Sequence, residues 1–209
     1  WNLVLEDISL LIQKAKEEHP KLPVILFGHS MGTILARGYH AAKGGALAGM
    51  ILSGLVPPMG MLGPVGASLA SLEIIQRGKR AKSVLLHKMN FGAHNKPFKP
   101  ARTDFDWLSR DTAEVDKYIE DPYCGTVFTT SFYRDLLSGI ADLEKPSLLN
   151  HLPADTPLYF FCGDADPVGK FGKGILLMEK LYRKYGVKDI TVKIYKEGRH
   201  ESLNEVNKT

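Results

Sequence analysis

A short apolar run that ends in a serine between two glycines constrains this chain more than any other feature. In the stretch VILFGHSMGT, residues 24–33, the segment GHSMG follows a strand-like run and precedes a helical pattern. Glycines two positions before and two positions after Ser30 favour a turn tight enough to strain the serine backbone, because they remove side chains that would collide there. The pattern G-x-S-x-G is weak by itself. In this context it predicts a strand–turn–helix corner with Ser30 at its tip.

The order of the apolar runs predicts the fold class. Residues 23–29, 47–54 and 157–164 are short continuous apolar runs, which are typical of parallel strands covered on both faces. A fourth run, residues 189–198, alternates apolar with polar side chains, so we expect an edge strand with one wetter face.

Helical patterns lie between these runs. Residues 1–15 carry the apolar stripe of an amphipathic helix. A helix after Ser30 is predicted to end at Gly44 and Gly45, and another is closed by Gly186. Strands and helices in alternation predict an α/β fold with a mostly parallel sheet.

The alternation breaks in the middle of the chain. Residues 57–153 contain helix-like pieces interrupted by proline and glycine, and an insertion of this length is usually functional. We therefore predict a discontinuous core, residues 1–56 and 154–209, with residues 57–153 as a helical cap or lid over the strand ends.

A serine hydroxyl becomes a nucleophile when a base takes its proton and a carboxylate orients that base. Of the seven histidines, His200 is the one expected in a loop at the C-terminal end of a strand, on the same side of the sheet as Ser30. His29 lies inside the corner, where we expect it to pack and hydrogen-bond beneath the loop. The segment CGDADPVG offers two carboxylates. Asp166 stands further out and is favoured, whereas Asp164 is expected to tighten the turn.

The bulk composition limits the classes of partner. A net charge of +4, from 27 basic and 23 acidic residues, is mild and does not indicate a nucleic-acid partner, which requires a dense basic stripe. The most basic stretch, residues 77–88, is interpreted as a solvated helix face, and a transient contact with a membrane surface is left open. Cys124 and Cys162 do not make a disulfide framework. Free thiols are typical of a reducing compartment, so the predicted location is cytoplasmic.

The motifs GHSMG, GDADPV and GRHE together resemble the α/β-hydrolase superfamily, in particular its monoglyceride lipase and lysophospholipase branch of the serine aminopeptidase S33 type. The stretch of residues 102–125 is also similar to bacterial members of that branch. The resemblance covers nearly the whole chain. It implies Ser30 as the nucleophile, Asp166 as the acid and His200 as the base. It also implies the backbone N–H of Met31 as one donor to the oxyanion.

The resemblance further implies hydrolysis of a small acyl ester, such as a monoacylglycerol or a lysophospholipid, through an acyl-enzyme and without a metal or an organic cofactor. One alternative is an acyltransferase or a peptidase on the same triad, because one fold supports several chemistries. The other is an inactive fragment or pseudoenzyme that binds a lipid or a partner.

The sequence departs from that branch at both ends. Members carry further strands before the corner, with a loop that supplies the second oxyanion donor, and a closing helix after the histidine. We expect these N-terminal strands and the C-terminal helix to be missing here and to come from a longer form of the chain or from another subunit. Without them, the strand before Ser30 has an exposed apolar edge, which favours aggregation.

Overall fold

The computed structural model describes residues 1–43 and 47–208, so the predicted helix end at Gly44 and Gly45 lies outside the described residues. Within them the sheet is parallel throughout, and its strands lie side by side in chain order. The strands are β1 (Ile25–His29), β2 (Gly49–Ser53), β3 (Leu158–Gly163) and β4 (Ile190–Tyr195). The predicted α/β class with a parallel sheet is confirmed.

Helices flank the sheet and fill the long connection between β2 and β3. In chain order they are α1 (Asn2–Glu18), α2 (Met31–Lys43), α3 (Leu62–Arg77), α4 (Val84–Phe91), α5 (Thr112–Glu120), α6 (Thr130–Asp142), α7 (Pro146–Leu149) and α8 (Lys173–Lys184). None of those in the described ranges is both long enough and apolar enough to cross a lipid bilayer.

The two inner strands form the centre of the core. Leu52 of β2 and Phe160 of β3 are fully excluded from solvent. They share one apolar cluster with Ile175 and Met178 of α8. Burial of this kind is the main stabilising contribution to such a fold. It explains why these strands appear in the sequence as unbroken apolar runs.

The two outer strands differ in how they meet solvent. β4 lies at one edge, and its buried and exposed positions alternate as expected for a half-covered edge strand. β1 lies at the other edge, where the side chains of Ile25 and Phe27 are 57% and 46% exposed. In the described part of the chain β1 therefore combines an unpaired edge with exposed apolar side chains.

The connection between β2 and β3 is helical, as the sequence predicts. Its main contact joins α3 to α6, where a Cβ on Gly66 would lie 2.9 Å from a methyl group of Leu137. A second contact joins this region to the core, because Ile34 of α2 packs with Ile140 and Leu143. The boundaries at residues 56 and 154, and the role of this region as a cap, stay predictions.

Candidate active site

The corner after β1 has the strained geometry that the motif predicts. Ser30 stands between the last residue of β1 and the first residue of α2, with a φ of +51°, a conformation that costs a non-glycine residue energy. A Cβ on Gly28 would lie 2.5 Å from the carbonyl oxygen of Gly32, so only glycine fits at the first position. A Cβ on Gly32 would meet nothing within 4 Å, so the expected steric need for the second glycine is wrong. The carbonyl oxygen of Ser30 accepts hydrogen bonds from the backbone N–H and the hydroxyl of Thr33, which fixes the turn.

The three side chains proposed from the sequence as a triad lie in one hydrogen-bonded chain. Nε2 of His200 is 2.9 Å from Oγ of Ser30, and Nδ1 of His200 is 3.1 Å from both carboxylate oxygens of Asp166. Asp166 is fully buried and His200 is 2% exposed. The Asp166 carboxylate fixes the tautomer of His200. Because the carboxylate can only accept a hydrogen bond, the ring proton must be on Nδ1. The lone pair of Nε2 is then left to accept the serine proton.

The carboxylate of Asp166 is held in place by its own loop. Its Oδ1 accepts a hydrogen bond from the backbone N–H of Val168, 2.9 Å away, and a Cβ on Gly169 would lie 3.2 Å from its Oδ2. Asp164 is expected from the sequence to tighten its own turn, but its side chain bonds to a different loop. It accepts a hydrogen bond from the backbone N–H of Glu197 at 2.6 Å and so ties the acid loop to the loop after β4.

Two close backbone approaches bring the loop of His200 to the sheet, and the sequence analysis missed both. Gly54, directly after β2, has a φ of +56°, and a Cβ there would lie 2.9 Å from Cε1 of His200. A Cβ on Gly163, at the end of β3, would overlap the carbonyl group of Gly198. A glycine at the end of a strand is a recognised signal of close approach.

Aromatic rings surround the imidazole of His200. The ring of His29 lies 4.9 Å from it and that of Trp107 lies 5.1 Å from it, centroid to centroid. Nδ1 of His29 is 3.2 Å from Oγ of Ser53, so the packing and hydrogen-bonding role expected for His29 is confirmed. Trp107 lies in the region between β2 and β3. No pattern in the sequence predicts its contact with His200.

Two histidines near His200 are neutral at pH 7. Burial lowers the pKa of His29 to about 4, and the nearby His200 lowers it as well. Burial also lowers the pKa of His94, whose ring packs on Trp107, to about 4. Neither side chain therefore adds a positive charge beside His200, whose imidazole would carry the serine proton during the reaction.

The start of α2 lies where an oxyanion would need stabilisation. Met31 is the first residue of α2, and backbone N–H groups in a first turn have no partner within the helix. The positive end of the helix dipole is also at this point. The backbone N–H of Met31 therefore lies next to Ser30 without a partner inside its own helix, and its role as an oxyanion donor stays a prediction.

Neither cysteine competes with Ser30 as a nucleophile. Both are unpaired. Burial raises the pKa of the Cys162 thiol to about 12, and it also raises the pKa of Cys124. Among residues 1–43 and 47–208, no cluster of three or more histidine, cysteine or acidic side chains is arranged to hold a metal ion.

Comparison with known proteins relates these features to a family. The sequence model of the family Hydrolase_4, described as serine aminopeptidase, S33, matches residues 1–207. The chain is 28% identical over 207 residues to a monoglyceride lipase of Homo sapiens, covering 98% of this chain and 60% of that protein. It is 28% identical over 202 residues to a monoacylglycerol lipase of Mycolicibacterium smegmatis, covering 96% of this chain and 63% of that protein. The chain thus spans about three fifths of the length of these curated relatives.

Solved structures share the same architecture. A thermostable carboxyl esterase from Bacillus coagulans, solved in complex with glycerol, superposes with a TM-score of 0.87 at 26% identity. The superposition covers 96% of this chain and 64% of that one. A lipase in its open form also has a TM-score of 0.87, at 24% identity, covering 99% of this chain and 67% of that one.

Proposed function

The chain belongs to the serine aminopeptidase S33 family, and we propose that it is a serine hydrolase that cleaves carboxylic esters. The observation that carries this proposal is the buried hydrogen-bonded chain from Asp166 through His200 to Ser30. The similarity to lipases and an esterase supports the same class of reaction.

In the first half of the proposed reaction, Oγ of Ser30 attacks the ester carbonyl carbon while Nε2 of His200 takes the serine proton. Asp166 stabilises the imidazolium that forms, and the backbone N–H of Met31 donates to the carbonyl oxygen as it becomes negative. His200 then gives its proton to the alkoxy oxygen, so the alcohol leaves and the acyl group remains on Ser30.

The second half uses water in place of Ser30. His200 takes a proton from a water molecule as its oxygen attacks the acyl carbon, and the ester bond to Ser30 breaks. The proton returns to Oγ of Ser30, and the carboxylic acid is released. Ser30 and His200 thus recover their starting states without a cofactor.

The proposed substrates are monoacylglycerols, lysophospholipids or similar acyl esters. The names of the two lipase relatives support a glycerol ester of a fatty acid. We propose that residues 57–153 form a cap over the site, because this region supplies Trp107, which contacts His200.

A transient contact with a lipid surface belongs to the same proposal. Apolar side chains in α3 and α4, and at the residue before α3, are strongly exposed, among them Met61, Leu62, Ile75 and Met89. The stretch between these helices, residues 78–83, carries three exposed basic side chains, a combination that suits an anionic lipid surface.

The test is product analysis with a panel of substrates. The protein is incubated with monoacylglycerols of increasing acyl length, a lysophospholipid and an aminoacyl anilide, and the released acid or amine is quantified beside the Ser30→Ala variant. We expect free fatty acid from the esters and none above background from Ser30→Ala. Amine release without ester cleavage would identify a peptidase instead. Transfer of the acyl group to an added alcohol in place of acid release would identify a transferase. An inert panel would overturn the proposal.

A further inference from the structure

The loop that carries His200 is attached to residues 105–110, which belong to the region between β2 and β3. The backbone N–H of His200 donates to the carbonyl oxygen of Trp107 at 3.3 Å, and that of Glu201 donates to the carbonyl oxygen of Leu108 at 2.8 Å. These two successive backbone hydrogen bonds hold the histidine loop against residues 105–110.

Charged side chains reinforce this attachment. The guanidinium of Arg199 donates to the backbone oxygens of Asp106 and Ser109. The carboxylate of Glu205, 3% exposed, accepts from the backbone N–H of Arg199 at 2.7 Å and from Nε of Arg110 at 2.8 Å. Hydrogen bonds that involve a charged group are stronger than neutral ones. These bonds therefore strengthen the attachment of the histidine loop to residues 105–110.

Trp107 is also held in place by residues other than His200. Its backbone N–H donates to Oδ1 of Asn95 at 2.9 Å, and only 7% of the residue is exposed. The ring of His94 packs on it at 4.7 Å, with the two planes at 61°. Trp107 in turn faces His200 at 5.1 Å, with the planes at 38°.

We propose that Trp107 is a positioning residue for His200. The region between β2 and β3 would then hold the imidazole of His200 in its orientation as well as cover the site. This inference rests on the proposed ester hydrolysis at the same site. Hydrogen bonds at Nδ1 and Nε2 fix two points of the imidazole but still allow it to rock about the line between them. The indole of Trp107, tilted by 38° to the imidazole, opposes that motion together with the ring of His29. Orientation of this kind contributes to the rate because the reacting atoms must stay in line.

Two substitutions of Trp107 distinguish the effect of its flat aromatic ring from the effect of its apolar volume. Trp107→Phe keeps a flat aromatic face, whereas Trp107→Leu keeps apolar bulk without one. For ester hydrolysis we expect kcat to fall about tenfold in Trp107→Leu and about two- to threefold in Trp107→Phe, with KM within about twofold of the parent in both. Trp1→Leu is the matched control, because Trp1 packs on Gly38 and Gly139, away from His200, and its kcat is expected to stay at the parent value.

A second readout needs no activity. In each variant that thermal unfolding shows to be folded, NMR measures how fast the Nδ1–H of His200 exchanges with water. A well-positioned imidazole keeps its Nδ1–H hydrogen-bonded to the carboxylate of Asp166, which slows exchange with water. Faster exchange in Trp107→Leu than in Trp107→Phe supports the inference, and equal exchange in the two variants overturns it.

The two readouts distinguish the inference from the proposed function. A parent protein that hydrolyses no ester refutes the function, and the exchange comparison still decides the role of Trp107. An active parent whose Phe and Leu variants lose kcat equally, or lose affinity for substrate and keep kcat, refutes the positioning role alone.

Discussion

The close approach of Gly54 to His200 leads to a sharp prediction. An ideal Cβ on Gly54 would lie 2.9 Å from Cε1 of His200 and 3.0 Å from its Nδ1. Carbon atoms in ordinary contact are about 3.5–4.0 Å apart. In Gly54→Ala the imidazole must therefore move by roughly half an ångström or more.

That movement has a calculable effect on the reaction. The distance from Nε2 of His200 to Oγ of Ser30 is 2.9 Å, and hydrogen bonds weaken beyond about 3.2 Å. A misplacement approaching 1 Å costs up to about 10²-fold in rate, so we expect kcat to fall about 10- to 100-fold with KM nearly unchanged. The positive φ of Gly54 adds about 1–2 kcal/mol of backbone strain once a Cβ is present.

Gly60→Ala provides the matched control. Gly60 has a φ of +55°, almost the same as Gly54, but a Cβ on it would meet nothing within 4 Å. Both variants should lose similar stability to backbone strain in urea unfolding. Gly54→Ala alone should lose kcat in steady-state ester hydrolysis. If Gly60→Ala loses as much kcat as Gly54→Ala, or if neither variant loses any, the argument from contact with His200 is refuted.

Three further predictions address the acid, the core and the sheet edge. Asp166→Asn should lower kcat by about 10³–10⁴-fold, because the amide favours the wrong tautomer of the base. A loss below tenfold in steady-state hydrolysis would contradict the role of Asp166. Burial lowers the pKa of His40 to about 4, below its ordinary value of 6.5 in the unfolded chain, so the unfolded chain takes up the proton first. Stability is therefore full above pH 6.5 and is lost as the pH falls toward 4, by about 2 kcal/mol at pH 5. His40→Leu should remove this loss of about 2 kcal/mol from urea unfolding curves and leave the losses that His29 and His94 add, since burial lowers the pKa of each of them to about 4 as well. The exposed His19→Leu should keep all three losses, and equal pH dependence in the two variants would contradict the reasoning. Phe27→Lys should reduce self-association of the 209-residue chain in light scattering, because a charge on an exposed edge strand opposes pairing, and unchanged scattering would count against that edge as the cause.

The sequence predicts the sheet well because its signals are local. Continuous apolar runs mark β1, β2 and β3, and the alternation after residue 189 marks the edge strand β4. The expected cover on both faces is wrong for β1, which lies at an edge with Ile25 and Phe27 exposed. The choice of Asp166 and His200 also follows from local order, since both come directly after strands whose carboxyl ends share one edge of the sheet. The structure places His200 beside Ser30 and Asp166 at the other nitrogen of the imidazole, and their catalytic roles stay part of the proposal.

The surroundings of His200 are not predictable in the same way. Trp107 lies in a segment without a hydrophobic period, and its contact with the histidine loop uses backbone carbonyl groups, which every residue has. Gly54 carries a visible signal of close approach, but the group that approaches comes from a loop far along the chain. The absence of any steric demand at Gly32 is likewise a property of the folded turn and not of the motif.

Intact-protein mass spectrometry after treatment with a fluorophosphonate tests the central claim most directly. The reagent reacts with a serine whose proton is taken by a neighbouring base. We expect one adduct on the parent protein, no adduct on Ser30→Ala and slower labelling of His200→Gln. A folded parent that takes no adduct, or an adduct that persists in Ser30→Ala, would contradict the assignment of Ser30 as an activated nucleophile.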